Sequence, residues 1–285
     1  SVAFSDGLDL RAAGTDDRSW RFHDRGDTGS GASAIDVGTP VLAHVDRTGA
    51  SEGRATLPPD HAPADTTPGV AAAGAVVQAQ ADTSLIHLDQ FRADVRFSGI
   101  DGQGVSVVVI DTGIDLNHPF FGVDGNSNGT ADRIVFSYDF YGGNDSNASD
   151  FNGHGSNVAS IIGSQDATYT GMAPGCNIIA LKVFPDGSGS ASSADIKEAL
   201  AWVVANQSAY NIVSVNMSLG YGDNLNSPSA APSYSGEIAT LAANNCAVVV
   251  ASGNAYYQYQ AQGVSTPSAD PNAWSVGAVW DRNAG

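Results

Sequence analysis

Three short segments carry side chains whose types and positions suit nucleophilic catalysis. Asp111 ends a run of apolar residues and opens an Asp-Thr-Gly turn. His154 lies between two glycines, just before an apolar helical stretch, and Asn254 ends Ala-Ser-Gly-Asn after another apolar run. A carboxylate can orient an imidazole, an imidazole can act as a general base, and an amide N–H can stabilise an oxyanion. The chain thus supplies, in this order, an orienting acid, a general base and an oxyanion donor.

Each of these residues also has an ordinary structural explanation when taken alone. Asp-Thr-Gly and Ser-Gly-Asn are typical of turns, and a histidine can begin a helix without any catalytic role. The functional interpretation rests on the three together, because catalytic groups are recognised as a placed set.

The segments that would position these groups alternate between strand and helix patterns from about residue 83 onward. Continuous apolar runs predict buried parallel strands at 105–110, 177–183, 211–217, 246–251 and 274–280. Helical patterns follow His154, run through 193–204 with Ser193 as the expected cap, and cover 237–242. This alternation predicts an α/β fold with right-handed crossovers, whose ligand sites lie at the carboxyl ends of the strands. Asp111 and Asn254 both fall there.

At this point the chain resembles the subtilases, the subtilisin-like serine peptidases, from about residue 85 to 285. Asp111 in Val-Ile-Asp-Thr-Gly-Ile-Asp matches the acid motif, His154 in Gly-His-Gly-Ser the histidine motif, and Asn254 the oxyanion asparagine. Two further segments resemble the walls of the substrate cleft. The resemblance implies a three-layer αβα fold with a mainly parallel sheet, incomplete at its C-terminus, and an exported serine endopeptidase acting on polypeptides.

The resemblance also implies a role for each matched residue. Asp111 is expected to hold His154 Nδ1–H, His154 to move the proton of a serine hydroxyl, and Asn254 to bind the oxyanion. The expected substrate-binding residues are Ser218, Leu219, Gly220, Gly187, Ser188, Gly189, Ala251, Ser252 and Gly253.

Two departures from the family pattern stand out. Asn157 replaces a frequent second histidine. More importantly, the family's nucleophile motif, Gly-Thr-Ser-x-Ala-x-Pro, does not follow Asn254. We therefore expect the serine downstream of Gly285 or on a second polypeptide carrying the C-terminal half, and we expect residues 1–285 alone to be inactive. The alternative is a catalytically dead subtilase half that binds a peptide or a partner.

Two other enzyme classes fit less well. Asp-Thr-Gly occurs at both Asp27 and Asp111, as a pair of aspartic-protease carboxylates would require, but no buried strand precedes Asp27 and the chain is not mainly β. The glycines at 99–104 precede their strand, whereas a dinucleotide-binding fingerprint follows one.

A possible metal site lies in the loop 124–132, where oxygen ligands alternate and a glycine occupies the sixth position. Its candidate ligands are Asp124, Asn126, Asn128, Thr130 and Asp132. This spacing suits Ca²⁺, but Val135 stands where an EF-hand has its bidentate glutamate. A polar, Gly-rich surface loop has the same composition, and the sequence leaves both open. Further oxygen ligands are available from Asp139, Asn144, Asp145, Asn147 and Asp150.

Composition limits the partners and the domain organisation. The formal charge is -18 and the pI about 4.3, which disfavours binding to nucleic acid or anionic membranes, and no apolar run is long enough to span a membrane. An acidic surface is typical of exported or high-salt proteins and also of ordinary solvated surfaces. We expect Cys176 and Cys246 to be free thiols, residues 1–82 to form an irregular extension or leader remnant, and 83–285 to form the peptidase domain.

Overall fold

The computed structural model describes residues 83–141, 145–186, 188–231 and 233–278, and the backbone of Ala34–Asp36. Its strands are β1 (Ala34–Asp36), β2 (Ser106–Asp111), β3 (Ile134–Asp139), β4 (Asn177–Lys182), β5 (Ser190–Ser192), β6 (Ile212–Met217), β7 (Ala247–Ala251) and β8 (Trp274–Val276). Six of them form one sheet in the order β3-β4-β2-β6-β7-β8, with every neighbouring pair parallel. The predicted α/β class with a mainly parallel sheet is confirmed.

The helices are α1 (Leu88–Ala93), α2 (His154–Gly163), α3 (Ser193–Asn206), α4 (Ser235–Ala243) and α5 (Tyr256–Tyr259). Successive residues of the central strands alternate between two hydrophobic cores, so that Val108 packs in one and Val109 in the other. The first core contains the apolar faces of α3 and α4, and the second contains Val158 and Ala159 of α2. Helices thus cover both faces of the sheet, which is the expected three-layer arrangement.

Five of the six strands of this sheet lie within two residues of their predicted starts. The sixth, β3, was not predicted. Only Ile134 in it is fully buried, and the strand pairs on one side, with β4. An edge strand of this kind lacks the continuous apolar run that marks a buried parallel strand. The serine that caps α3 is Ser192, whose side chain accepts from Asp195 N at 3.1 Å, rather than Ser193.

The order of the strands in the sheet keeps the two cysteines too far apart to form a disulfide. Cys176 and Cys246 are buried, free thiols that directly precede β4 and β7. Two strands, β2 and β6, separate β4 from β7, and at about 4.8 Å per strand the thiols lie roughly 14 Å apart, too far for a disulfide. Burial raises the pKa of both thiols, that of Cys246 to about 11. The predicted free thiols are confirmed.

The N-terminal extension lies outside the described residues, apart from β1, which pairs antiparallel with β5. The proposed boundary near residue 82 therefore stays a prediction. Among the residues that the structure describes, no helix is long and apolar enough to cross a membrane.

Candidate active site

The structure brings Asp111 and His154 into direct contact. Asp111 is the last residue of β2 and His154 the first of α2, and His154 Nδ1 lies 2.7 Å from Asp111 Oδ1. The Asp111 side chain is 1% exposed and that of His154 is 12% exposed. A buried carboxylate therefore orients an imidazole that retains an opening to the surface.

The backbone of the turn that follows Asp111 hydrogen-bonds to its carboxylate. The backbone N–H of Thr112 donates to Asp111 Oδ1 at 2.7 Å, so this oxygen accepts from both the backbone and the imidazole. The other oxygen, Oδ2, is buried and has no hydrogen-bond partner within the described residues. The two hydrogen bonds to Oδ1 hold the carboxylate in a fixed orientation towards the imidazole.

A second carboxylate, Asp150, builds the start of α2 around the histidine. Its Oδ1 accepts from Asn152 N, Gly153 N and Thr112 Oγ1, and its Oδ2 accepts from Ser156 N and Ser156 Oγ, at 2.6–3.0 Å. The carboxylate thus satisfies orphan N–H groups at the helix start and adds negative charge there. In the sequence, Asp150 stands out only as a possible additional metal ligand. Its position just before Gly-His-Gly-Ser was the available signal.

The electrostatics favour a protonated His154. Burial alone lowers the pKa of the imidazole, but the charge of Asp111, its hydrogen bond and the charge of Asp150 together outweigh burial and raise the pKa of His154 above its ordinary value. An imidazolium formed during a reaction would therefore be stabilised at this position.

Lys182 connects the acid to the neighbouring loop. Its side chain is 3% exposed, and Nζ donates to Thr112 O at 2.7 Å and pairs with Asp186 Oδ1 at 3.0 Å. Lys182 is also the register partner of Asp111 in the β2–β4 pair. A buried ammonium thus joins the Asp111 turn to the turn that begins the expected cleft segment 187–189. In the sequence, Lys182 is marked only by its place in the predicted strand 177–183.

Asn254 lies three residues beyond β7, at the carboxyl edge of the sheet, and is exposed. Since β6 alone separates β2 from β7, Asn254 and Asp111 emerge from the same edge about 10 Å apart in the direction across the strands. The placement suits an oxyanion donor, and that role stays a prediction.

The expected cleft segments follow neighbouring strands at the same edge. Ser218, Leu219 and Gly220 continue from β6, while Ala251 ends β7 and leads into Ser252 and Gly253. Leu219 is buried, and Ser252 N donates to Val276 O. On the other side, Ser188 Oγ accepts from Ser190 N, while Gly187 lies outside the described residues. Substrate contact at these segments stays a prediction.

The loop proposed for Ca²⁺ is ordered by its own oxygens. Asp124 accepts from Asn128 N and Gly129 N at 3.0 and 2.8 Å, and Asp132 accepts from Gly125 N. Asn126 and Asn128 likewise accept from backbone N–H groups two residues ahead. Gly129 has φ +85°, as the predicted turn requires. Val135, the twelfth position, belongs to β3.

Only two of the proposed loop ligands are carboxylates. Within the described residues, no group of three or more His, Cys, Asp or Glu side chains is arranged to hold a metal ion. The Ca²⁺ assignment therefore depends on amide, hydroxyl and backbone oxygens, and it stays a prediction.

Comparison with known proteins places this geometry in a family. The model of the subtilase family matches residues 102–284. The chain is 37% identical over 186 residues to the subtilisin-like serine protease AsES of Sarocladium strictum, covering 64% of this chain and 41% of that protein. It is 32% identical over 187 residues to subtilisin Savinase of Lederbergia lenta, covering 65% and 59%.

A third relative is alkaline serine exoprotease A of Vibrio alginolyticus, 39% identical over 150 residues, covering 52% of this chain and 25% of that protein. Among solved structures, an S41 psychrophilic protease matches with a TM-score of 0.47 and 25% identity over 65% of this chain and 58% of that one. The chain thus spans between a quarter and three fifths of the length of these relatives. Because the family model matches well over half of the chain, the protein belongs to the subtilase family.

Proposed function

We propose that this chain is part of a serine endopeptidase that hydrolyses polypeptides with an Asp-His-Ser triad. The observation that carries the proposal is the 2.7 Å contact between His154 Nδ1 and Asp111 Oδ1, with the carboxylate buried. Membership of the subtilase family supports the same reaction class.

The proposed mechanism begins with the tautomer of His154. A hydrogen bond from Nδ1–H to Asp111 leaves the lone pair on Nε2, which then takes the proton of a serine hydroxyl as the oxygen attacks the scissile carbonyl. The resulting imidazolium is stabilised by the charges of Asp111 and Asp150. Asn254 would donate to the tetrahedral oxyanion, and His154 would return the proton to the leaving amine. Water then attacks the acyl-enzyme carbonyl while His154 takes its proton. His154 returns that proton to the serine oxygen as the carboxylic acid product leaves.

The triad serine is proposed to lie outside residues 1–285, since Gly-Thr-Ser does not occur in them. A fluorophosphonate probe, which labels an activated serine, tests the proposal. The intact protein should be labelled stoichiometrically and should hydrolyse casein, and His154→Ala should abolish both. Residues 1–285 alone should not be labelled, and labelling of that stretch would show that it contains an unrecognised nucleophile.

The alternative proposal is a subtilase-like module that binds peptides without cleaving them. The missing nucleophile motif favours it, and the cleft segments would serve either role by adding a peptide strand to exposed backbone groups. An intact protein that binds a fluorescent peptide but fails to react with the fluorophosphonate would support the binding module.

Export and Ca²⁺ binding are further proposals. The acidic composition supports a protein that works outside the cell or at high salt. Localisation of a tagged, full-length protein in its own cells would test it.

A further inference from the structure

Two segments beyond the strand ends of β6 and β7 are joined by a dense set of hydrogen bonds. We call residues 221–225 and 259–266 together the clasp. Tyr221 N donates to Thr266 O at 2.7 Å, and Leu225 and Val264 exchange backbone hydrogen bonds at 2.7 and 2.8 Å. The backbone of one segment is therefore paired with that of the other as in a short antiparallel ladder.

Side chains strengthen the same pairing. Tyr259 Oη donates to Gly222 O at 2.8 Å, and Asn224 Nδ2 donates to Ala261 O at 3.0 Å. Tyr259 belongs to α5, which begins two residues after Asn254. The segment that leads away from the expected oxyanion donor is thus tied back to the segment that leads away from the expected cleft wall.

Asp223 makes the closest side-chain connection in the clasp. Its Oδ1 accepts from Thr266 N at 2.7 Å, and its Oδ2 accepts from Thr266 Oγ1 at 2.9 Å. Asp223 is half-buried and Thr266 is 4% exposed. The Asp223 carboxylate therefore accepts two hydrogen bonds from Thr266. Hydrogen bonds to a carboxylate are stronger than those between neutral groups.

Thr266 adjoins Ser265, which fills the space between the two expected cleft segments. Ser265 is 2% exposed, and Ser265 N donates to Ser252 O at 2.8 Å. A Cβ built on Gly220 would lie 2.5 Å from Ser265 Oγ, and one built on Gly253 would lie 2.7 Å from it. The Ser265 hydroxyl thus touches both glycines and has no hydrogen-bond partner within the described residues.

We propose that Asp223 is a positioning residue that fixes the spacing of the Gly220 and Gly253 segments by holding Thr266, and with it Ser265, between them. The inference rests on the proposed function, because it concerns how tightly those segments hold a peptide. Asp223 touches no reacting group in this arrangement. Its carboxylate acts through Thr266 and Ser265 on the spacing between the Gly220 and Gly253 segments.

The expected kinetic effect is on binding rather than on chemistry. Asp111 and His154 lie on β2 and α2, which the clasp does not include, so loosening the clasp leaves their hydrogen bond in place. If the Gly220 and Gly253 segments are wrongly spaced, the binding free energies of the substrate and of the transition state weaken by similar amounts. Such a loss of uniform binding raises KM and leaves kcat nearly unchanged.

The experiment measures kcat and KM of the intact protein with a tetrapeptide para-nitroanilide, and Kd for the same peptide carrying fluorescein in place of the anilide. For Asp223→Ala we expect KM and Kd to rise about tenfold with kcat within about threefold of wild type. Asp223→Asn should restore both values. Its oxygen can accept from Thr266 N while its amide donates to the Thr266 hydroxyl.

Asp166→Ala is the matched control. Asp166 is also half-buried and also accepts two backbone hydrogen bonds, from Thr168 N and Tyr169 N, but in the loop after α2 at the far end of that helix. Its KM should not change. If Asp223→Ala does not fold, as judged by circular dichroism, Thr266→Val removes one contact alone and should raise KM about threefold, while Thr266→Ser restores it.

The outcomes separate this inference from the proposed function. Unchanged KM and Kd in the folded Asp223→Ala or Thr266→Val variant overturn the positioning role while hydrolysis stands. If wild type does not hydrolyse the anilide but Asp223→Ala still binds the fluorescent peptide more weakly than wild type, the positioning role is supported and the peptidase is rejected. A fall in kcat at constant KM also overturns the inference, because it places the effect on the reacting groups.

Discussion

Gly155 packs directly against the carbonyl oxygen of Gly113. A Cβ on Gly155 would overlap that oxygen and would lie 3.2 Å from Asp111 Oδ1. The start of α2 can therefore approach the end of β2 only because position 155 has no side chain. This close approach is what brings His154 within hydrogen-bonding distance of Asp111.

We expect Gly155→Ala to lower kcat by about 10² or more. The added methyl pushes α2 away from β2 and moves the imidazole of His154 away from Asp111, and a displacement of about 1 Å is enough for a loss of this size. Steady-state kinetics on the intact protein measures this. Gly236→Ala in α4 is the control, since nothing lies within 4 Å of a Cβ there, and alanine in a helix should stabilise by about 0.5–1 kcal/mol. Equal activity of the two variants would contradict the packing argument.

The pH dependence of activity should follow His154. Catalysis needs the neutral imidazole, so kcat/KM should rise with pH through a pKa above about 6.5, the usual value. In Asp111→Asn the charge that outweighs burial is lost, so this limb should move to lower pH, and kcat should fall about 10⁴-fold through the wrong tautomer. An acid limb that stays in place in Asp111→Asn would show that another group titrates. Asp166→Asn should leave the limb unchanged.

The raised pKa of His154 also predicts how the free energy of unfolding changes with pH. A raised pKa means that the folded protein binds the His154 proton more tightly than the unfolded chain does. This contribution is fully present below the unfolded pKa of about 6.5 and is lost as the pH rises through the folded pKa. Urea unfolding of wild type and His154→Gln at several pH values measures it. A stability difference that grows with pH across this window would reverse the assignment.

Asn254→Ala should lower kcat by about 10²–10³ with little change in KM, because the oxyanion exists only in the transition state. Single-substrate kinetics of the intact protein provides the measurement. Gln258→Ala removes another exposed amide from the same segment and should have no effect. If instead Asn254→Ala raised KM at constant kcat, the residue would bind substrate without stabilising the oxyanion.

Ca²⁺ should raise the melting temperature of metal-stripped protein through the loop 124–132. A ligand that binds only the native state at a hundredfold excess over Kd stabilises by about 2.7 kcal/mol. Asp124→Ala should remove most of the gain, because the carboxylate that organises Asn128 and Gly129 is lost. Glu198→Ala, an exposed acid on α3, should retain it. No change in melting temperature on adding Ca²⁺ would reject the loop as a site.

The sequence alone determined the core of the sheet and singled out Asp111 and His154. Strands such as β2 and β4 are buried on both faces, so their runs of aliphatic residues mark them without any knowledge of their neighbours. Asp111 and His154 were recognisable because local turns and glycines surround them. The separation of Cys176 from Cys246 by two strands, by contrast, is a property of the sheet order.

The tertiary structure decided the features that depend on contacts between distant residues. The edge strand β3 has an apolar run of only three residues, 134–136, and forms by pairing with β4. Asp150, Lys182 and Asp223 are ordinary polar residues in the sequence. Asp150 caps the start of α2 through neighbours within six positions, but it reaches the Asp111 turn only through Thr112, 38 positions away. Asp223 depends on Thr266, which lies 43 positions further on. Local pattern reports burial and turn preference, whereas the partner of a buried polar group is set by how the chain crosses over, which no local pattern contains.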